Sequence, residues 1–132
     1  MILICPSTVL WHRNTQSYQQ FGDGRWLSRM NIKFYNEQYL NNREEVKNPY
    51  VSPLLSPNFK NLPPAHVIIA EFDILHDEGE SYVGQLLKGG NTVTHKQYDG
   101  MIHSFIVLNK VINKANDAID NCISLFSEMG RS

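Results

Sequence analysis

Apolar and polar positions divide the chain into blocks with different periods. Met1-Ile2-Leu3-Ile4-Cys5 is continuously apolar and stops at Pro6. Such a run predicts a strand buried on both faces, as in a parallel sheet. Residues 11–24 are polar and aromatic around Gly22-Asp23-Gly24 and read as an excursion away from the sheet. Trp26, Met30 and Phe34 then recur every fourth residue, with Leu27, Tyr35 and Tyr39 beside them. That spacing predicts a helix over residues 25–41 whose broad apolar stripe faces the core. The alternative is that some of its aromatics wall a pocket. Residues 41–45 are polar and close this helix. Residues 48–64 carry five of the six prolines, so they form an ordered irregular connection. Tyr50, Val51, Leu54, Leu55 and Phe59 are its candidate anchors.

Residues 65–72 are the second strand. Asp77 and Glu80 have the spacing of a capping box for a following helix. Tyr82, Val83, Leu86 and Leu87 form the buried face of that helix, and Gly89-Gly90 end it. Residues 92–98 alternate and form a third strand with one exposed face. Strand, helix and strand of these lengths make a right-handed parallel βαβ unit. A loop over 99–105 comes next. Leu108, Ile112, Ala115, Ile119, Cys122 and Phe126 step by four and three, which predicts a last helix packed on the sheet. The fold class is therefore α/β, a short parallel sheet of about three strands flanked by helices.

Composition narrows the function. A length of 132 residues bounds the chain to a single domain, 1–132. With 42% hydrophobic and 19% charged residues it is an ordinary globular chain, not a disordered one. A formal net charge of -1 offers no basic footprint for nucleic acid. No stretch approaches the roughly 18 apolar residues of a membrane span. Cys5 and Cys122 lie in apolar surroundings without metal-type spacing and are expected as free, buried thiols. The apolar start lacks the basic residues of a signal peptide, so a cytoplasmic location is expected. A domain seldom opens on an interior strand, and this chain is expected to be the later part of a larger fold.

The chemistry concentrates at strand ends. In open α/β sheets, sites form beyond the carboxyl ends of the strands. Asp73 comes just after the second strand and His103 lies just beyond the third, so neighbouring parallel strands bring them together. A carboxylate bound to one imidazole nitrogen fixes the tautomer and leaves the other nitrogen as a general base. Gly100 lets the backbone turn His103 back over the sheet. The other reading of Asp73 is a turn residue that caps the next helix.

Four segments carry a resemblance: Ser52-Pro53-Leu54, Leu62-Pro63-Pro64-Ala65, residues 70–79 from Ala70-Glu71-Phe72-Asp73 to Asp77-Glu78-Gly79, and Tyr98-Asp99-Gly100-Met101-Ile102-His103-Ser104-Phe105. Together they resemble the C-terminal part of the α/β-hydrolase fold, in its hormone-sensitive-lipase-like branch of esterases and lipases (the fold-3 family). Residues 17–40 look like that branch's segment after its sixth strand, a pocket-like helical excursion over 16–42. The resemblance implies a carboxylic ester hydrolase with Asp73 as triad acid and His103 as triad base, and no cofactor. In that fold the nucleophilic serine sits in Gly-x-Ser-x-Gly ahead of both. This sequence contains neither that motif nor a His-Gly-Gly-Gly stretch for an oxyanion hole. Smaller departures are Ile74 for the family's usual proline, His76 for arginine, and Ser104 for the glycine after the histidine.

Ser7 and Ser104 lack the glycine-flanked elbow that exposes such a nucleophile. The isolated chain is therefore expected to be inactive. The alternative is a non-catalytic remnant or assembly module. A first strand with an open, apolar edge seeks a partner, so a homodimer or a complex with a separate N-terminal fragment is expected. His12 and His66 are isolated and His95 is expected in solvent. His76 with Asp77 and Glu78 lacks ligand spacing, and no metal site is expected.

Overall fold

The computed structural model describes residues 1–11 and 14–129, so His12 lies outside the described residues. In chain order the elements are β1 (Ile2–Ile4), α1 (Gln16–Phe21), α2 (Arg29–Tyr39), β2 (Ala65–Phe72), α3 (His76–Lys88), β3 (Val93–Ile102) and α4 (Asn113–Met129). Short 3₁₀ turns lie at Arg43–Lys47, Pro53–Leu55 and Phe105–Leu108. The sheet has three strands in the order β1-β2-β3. Both pairings are parallel, with Leu3 opposite Val67 and Ile68 opposite Lys96.

Central β2 explains the layering. Its run Val67-Ile68-Ile69-Ala70 is almost wholly buried, because it has a strand on each side and a helix over each face. Ile68 and Ala70 point to one face, where they pack with Cys5, Tyr98, Phe105, Ala115 and Ala118. Ala115 and Ala118 have no side chain beyond Cβ, which lets α4 lie close to the sheet. Val67 and Ile69 point to the other face against Val83 of α3. Beside them Tyr82 and Leu86 pack on Ala65, with Leu54, Phe59 and Leu62 from the proline-rich connection closing that edge. Gly89 ends α3 where a Cβ would lie 2.2 Å from the Phe59 carbonyl oxygen, so this close approach requires glycine.

The architecture matches the expected class, and several local expectations need correction. β1 is not buried on both faces: among the described residues it pairs only with β2, and Ile4 is 37% exposed. The helix expected over 25–41 starts later, at a Ser28–Asn31 capping box. Its stripe of Trp26, Met30 and Phe34 does not face the core. Trp26 is 59% and Met30 80% exposed, while Ile32 and Asn36 are the buried positions. The helical period holds, but the stripe is turned to the surface, where aromatic residues are exposed. Tyr50 and Leu55 are likewise exposed and anchor nothing, and so is Leu87 on α3.

Asp77 and Glu80 make no capping box. Leu75 stands at the cap position of α3 without a side-chain bond, and the turn is held instead by Asp73. β3 runs on through Ile102, taking in residues expected as loop, with a register shift against β2 between Ala70 and Phe72. The extra length puts His103 directly after the strand. The last helix begins at Asn113, after the 3₁₀ turn that holds Leu108, and Phe126 near its end is exposed.

Candidate active site

Asp73 is the first residue beyond β2 and is 1% exposed. Its two carboxylate oxygens have separate tasks. Oδ1 accepts the Leu75 N–H at 2.9 Å, which closes the turn into α3. Oδ2 lies 2.8 Å from His103 Nδ1. Asp73 thus closes the turn and meets His103 at the same time. A buried carboxylate accepts but does not donate, so the His103 proton sits on Nδ1. Nε2 is left as the basic nitrogen.

Ser104, just after the base, holds φ of 56° in the left-handed region. Glycine enters that region without a Cβ penalty, whereas serine carries one. The backbone reversal there sends the chain into the 3₁₀ turn and buries Phe105, whose ring lies 5.0 Å from that of Tyr98. Gly100, with φ of 78°, lies within β3 at the register shift, and its N–H donates to Glu71 Oε2 at 2.6 Å.

Cys5 is the group whose place in the site was not anticipated. Its expected burial holds, but it lies just beyond β1 as Asp73 lies just beyond β2, and the same strand-end rule would have found it. Donor atoms of Cys5, Asp73 and His103 lie within 4.8 Å of one another. Burial above all, and then the Asp73 charge, push the thiol up to about 12, while backbone hydrogen bonding at Ser104 and Ala70 works the other way. The thiol therefore stays protonated at neutral pH, and such a thiol is a poor nucleophile. Cys122 is also free and is partly buried.

Cys5 and His103 line an open cavity of about 590 Å³. Its walls include Leu10, Leu27 and Ile32, and Tyr35, Tyr39 and Tyr50 stand around it. Tyr35 and Tyr39 thus fit the pocket-wall reading of α2. The segment after β1 is held from below by Glu78, a buried carboxylate on α3. It accepts the Thr8 N–H at 2.7 Å and the Val9 N–H at 3.4 Å. Nothing in the spacing of Glu78 announced this partner, which lies 70 residues away.

Ser7 lines the cavity, and Ser104 is held in the turn. His66 is buried and bonds Thr94 through Nδ1. His95 is exposed on β3, as expected. His76 pairs with Asp77 and Gln97, while the Glu78 carboxylate turns to the segment after β1, so the three do not converge.

A buried acid, an oriented imidazole and a cavity at the carboxyl ends of parallel strands are features of a hydrolase built on this type of sheet. Residues 1–107 match the family described as alpha/beta hydrolase fold, and the chain belongs to that family. It is 36% identical over 95 residues to the carboxylic ester hydrolase LipN of Mycobacterium tuberculosis, an alignment covering 71% of this chain and 25% of that protein. It is 32% identical over 80 residues to hormone-sensitive lipase of Mus musculus, covering 59% of this chain and 10% of that one. Among solved structures, the esterase of Pyrobaculum calidifontis superposes with a TM-score of 0.93 at 28% identity. That superposition takes in 99% of this chain and 43% of the esterase. The chain therefore spans less than half the length of the relatives it matches.

Proposed function

We propose that this chain is the acid-and-base portion of a carboxylic ester hydrolase, with Asp73 and His103 as catalytic residues and the nucleophile supplied from outside the sequence. The observation that carries the reading is the 2.8 Å bond between Asp73 Oδ2 and His103 Nδ1 inside a segment that matches the family. In the completed site a serine hydroxyl attacks the ester carbonyl and His103 Nε2 takes its proton. The same proton then passes to the departing alkoxide, and an acyl-serine forms. Water attacks the acyl-serine as His103 takes its proton, and His103 passes that proton to the serine oxygen as the acid is released. Asp73 holds the Nδ1–H tautomer and stabilises the imidazolium in both halves.

Without Gly-x-Ser-x-Gly the isolated chain is inactive toward esters. The assay is hydrolysis of a short-chain p-nitrophenyl ester together with labelling by a fluorophosphonate. We expect neither from this chain alone, and turnover that His103→Ala abolishes would sink the inactive reading. Addition of a fragment bearing the nucleophile and oxyanion motifs is expected to generate turnover. In that complex Asp73→Asn lowers kcat by about 10⁴-fold, through the wrong imidazole tautomer.

The assembly reading has its own support. β1 has a free edge among the described residues, and Ile4 is 37% exposed. An unpaired apolar edge is a template for another strand. On this reading the chain forms a homodimer or a complex with such an N-terminal fragment. It works in the cytoplasm without a cofactor.

A further inference from the structure

His76 stands in the first turn of α3, and its backbone N–H donates to the Asp73 carbonyl at 3.1 Å. Both of its ring nitrogens meet oxygens. Nδ1 lies 3.0 Å from Asp77 Oδ1, and Nε2 lies 2.9 Å from Gln97 Oε1. The orientation of the Gln97 amide is set by its other contact. Its Nε2 is 2.7 Å from Asp99 Oδ1, an oxygen that only accepts, so the amide NH₂ points there and the carbonyl oxygen points at His76. Asp77 is equally committed as an acceptor. Its Oδ2 takes the Ser17 N–H at 2.9 Å. A neutral imidazole carries a single N–H and leaves one of the two oxygens facing a bare nitrogen lone pair. The imidazolium donates to both.

We infer that His76 is a charged strap, an imidazolium joining α3 to β3, whose loss of a proton releases one of its two ties. Through Asp77 the strap also reaches α1. Ser17 N–H donates to the Asp77 carboxylate, and Asp77 N–H donates back to Ser17 Oγ at 3.2 Å. Segments separated by 60 residues are thereby closed around the turn that carries Asp73. The device lies outside the ester-hydrolase reading and does not depend on it.

The surrounding charges favour the imidazolium. On α3 itself Asp77 and Glu80 are negative. β3 presents Gln97, Asp99 and His95, and His95 sits 4.0 Å from Glu80. Near the end of β2, Glu71 is occupied by the Gly100 N–H. α1 contains no charged side chain. Burial opposes the charge on His76, but the bonds to Gln97 and Asp77 and the charges of Asp77 and Glu80 outweigh it, and the pKa is raised. The Asp77 carboxyl, although burial pushes it up, is held below its usual value by Ser17 and His76.

A histidine whose folded pKa exceeds its unfolded value of about 6.5 adds stability below that pH and gives it up as pH rises through the folded value. The folding constant is therefore expected to fall as pH rises past about 6.5, by up to about tenfold for each unit of separation. The test is nitrogen-15 NMR of the ring, combined with denaturant unfolding between pH 5.5 and 9 (about the histidine range). The His76 ring is expected to titrate with a pKa above about 6.5, with both nitrogens protonated below it. His76→Arg, permanently charged, is expected to remove the His76 share of the alkaline fall, and His76→Gln to remove that share together with some stability. A pKa at or below about 6.5 overturns the strap. An alkaline fall unchanged in His76→Arg overturns it too. The NMR reading needs no variant, so it stands even if a substituted chain fails to fold.

Discussion

Asp73 does two things that compete in most turns. One oxygen closes the backbone into α3 and the other orients His103. Replacing it by asparagine keeps the shape and a carbonyl acceptor, but the charge that would stabilise an imidazolium is lost. Ser104 carries the residue-scale cost of the site, a left-handed backbone with a side chain attached. Relief of that strain predicts that Ser104→Gly raises stability by about 1 kcal/mol. Denaturant unfolding measures it, and a destabilised variant would mean that the serine side chain contributes more than the strain costs.

At the scale of elements, contacts between distant segments decide the outcome. α3 can end beside the proline-rich connection only because Gly89 has no Cβ. Gly89→Ala must push the Phe59 backbone away, and overpacking of this kind predicts a loss of about 1–3 kcal/mol. The midpoint of denaturant unfolding checks it. Phe105 is fully buried between sheet and α4, and Phe105→Ala is expected to cost about 3–5 kcal/mol. A smaller loss in the same measurement would show that α4 collapses into the space. α2 teaches the opposite lesson. Its aromatic period is plain in the sequence, but no local feature says which side of the helix meets the sheet and which side meets the cavity.

For the molecule as a whole, the sheet ends at β1 with an edge that has no partner among the described residues, and Trp26, Met30, Phe34 and Tyr39 are exposed. Sedimentation at micromolar concentration is expected to detect association, and Ile4→Lys, which puts a charge on the open edge, is expected to weaken it. A monomer throughout would count against the assembly reading. No helix among the described residues is long and apolar enough to cross a membrane.

The sequence by itself determined the α/β class, the three parallel strands and the two strand-end residues. Those features come from two apolar runs, one alternating segment and the parallel-sheet rule that places chemistry at carboxyl ends. The tertiary structure alone decided which face of α2 is buried and that Glu78 reaches back to Thr8. It alone gave His76 two acceptors at once. Such pairings depend on segments far apart in the chain, and hydrophobic period registers burial along one element without naming the partner on the other side.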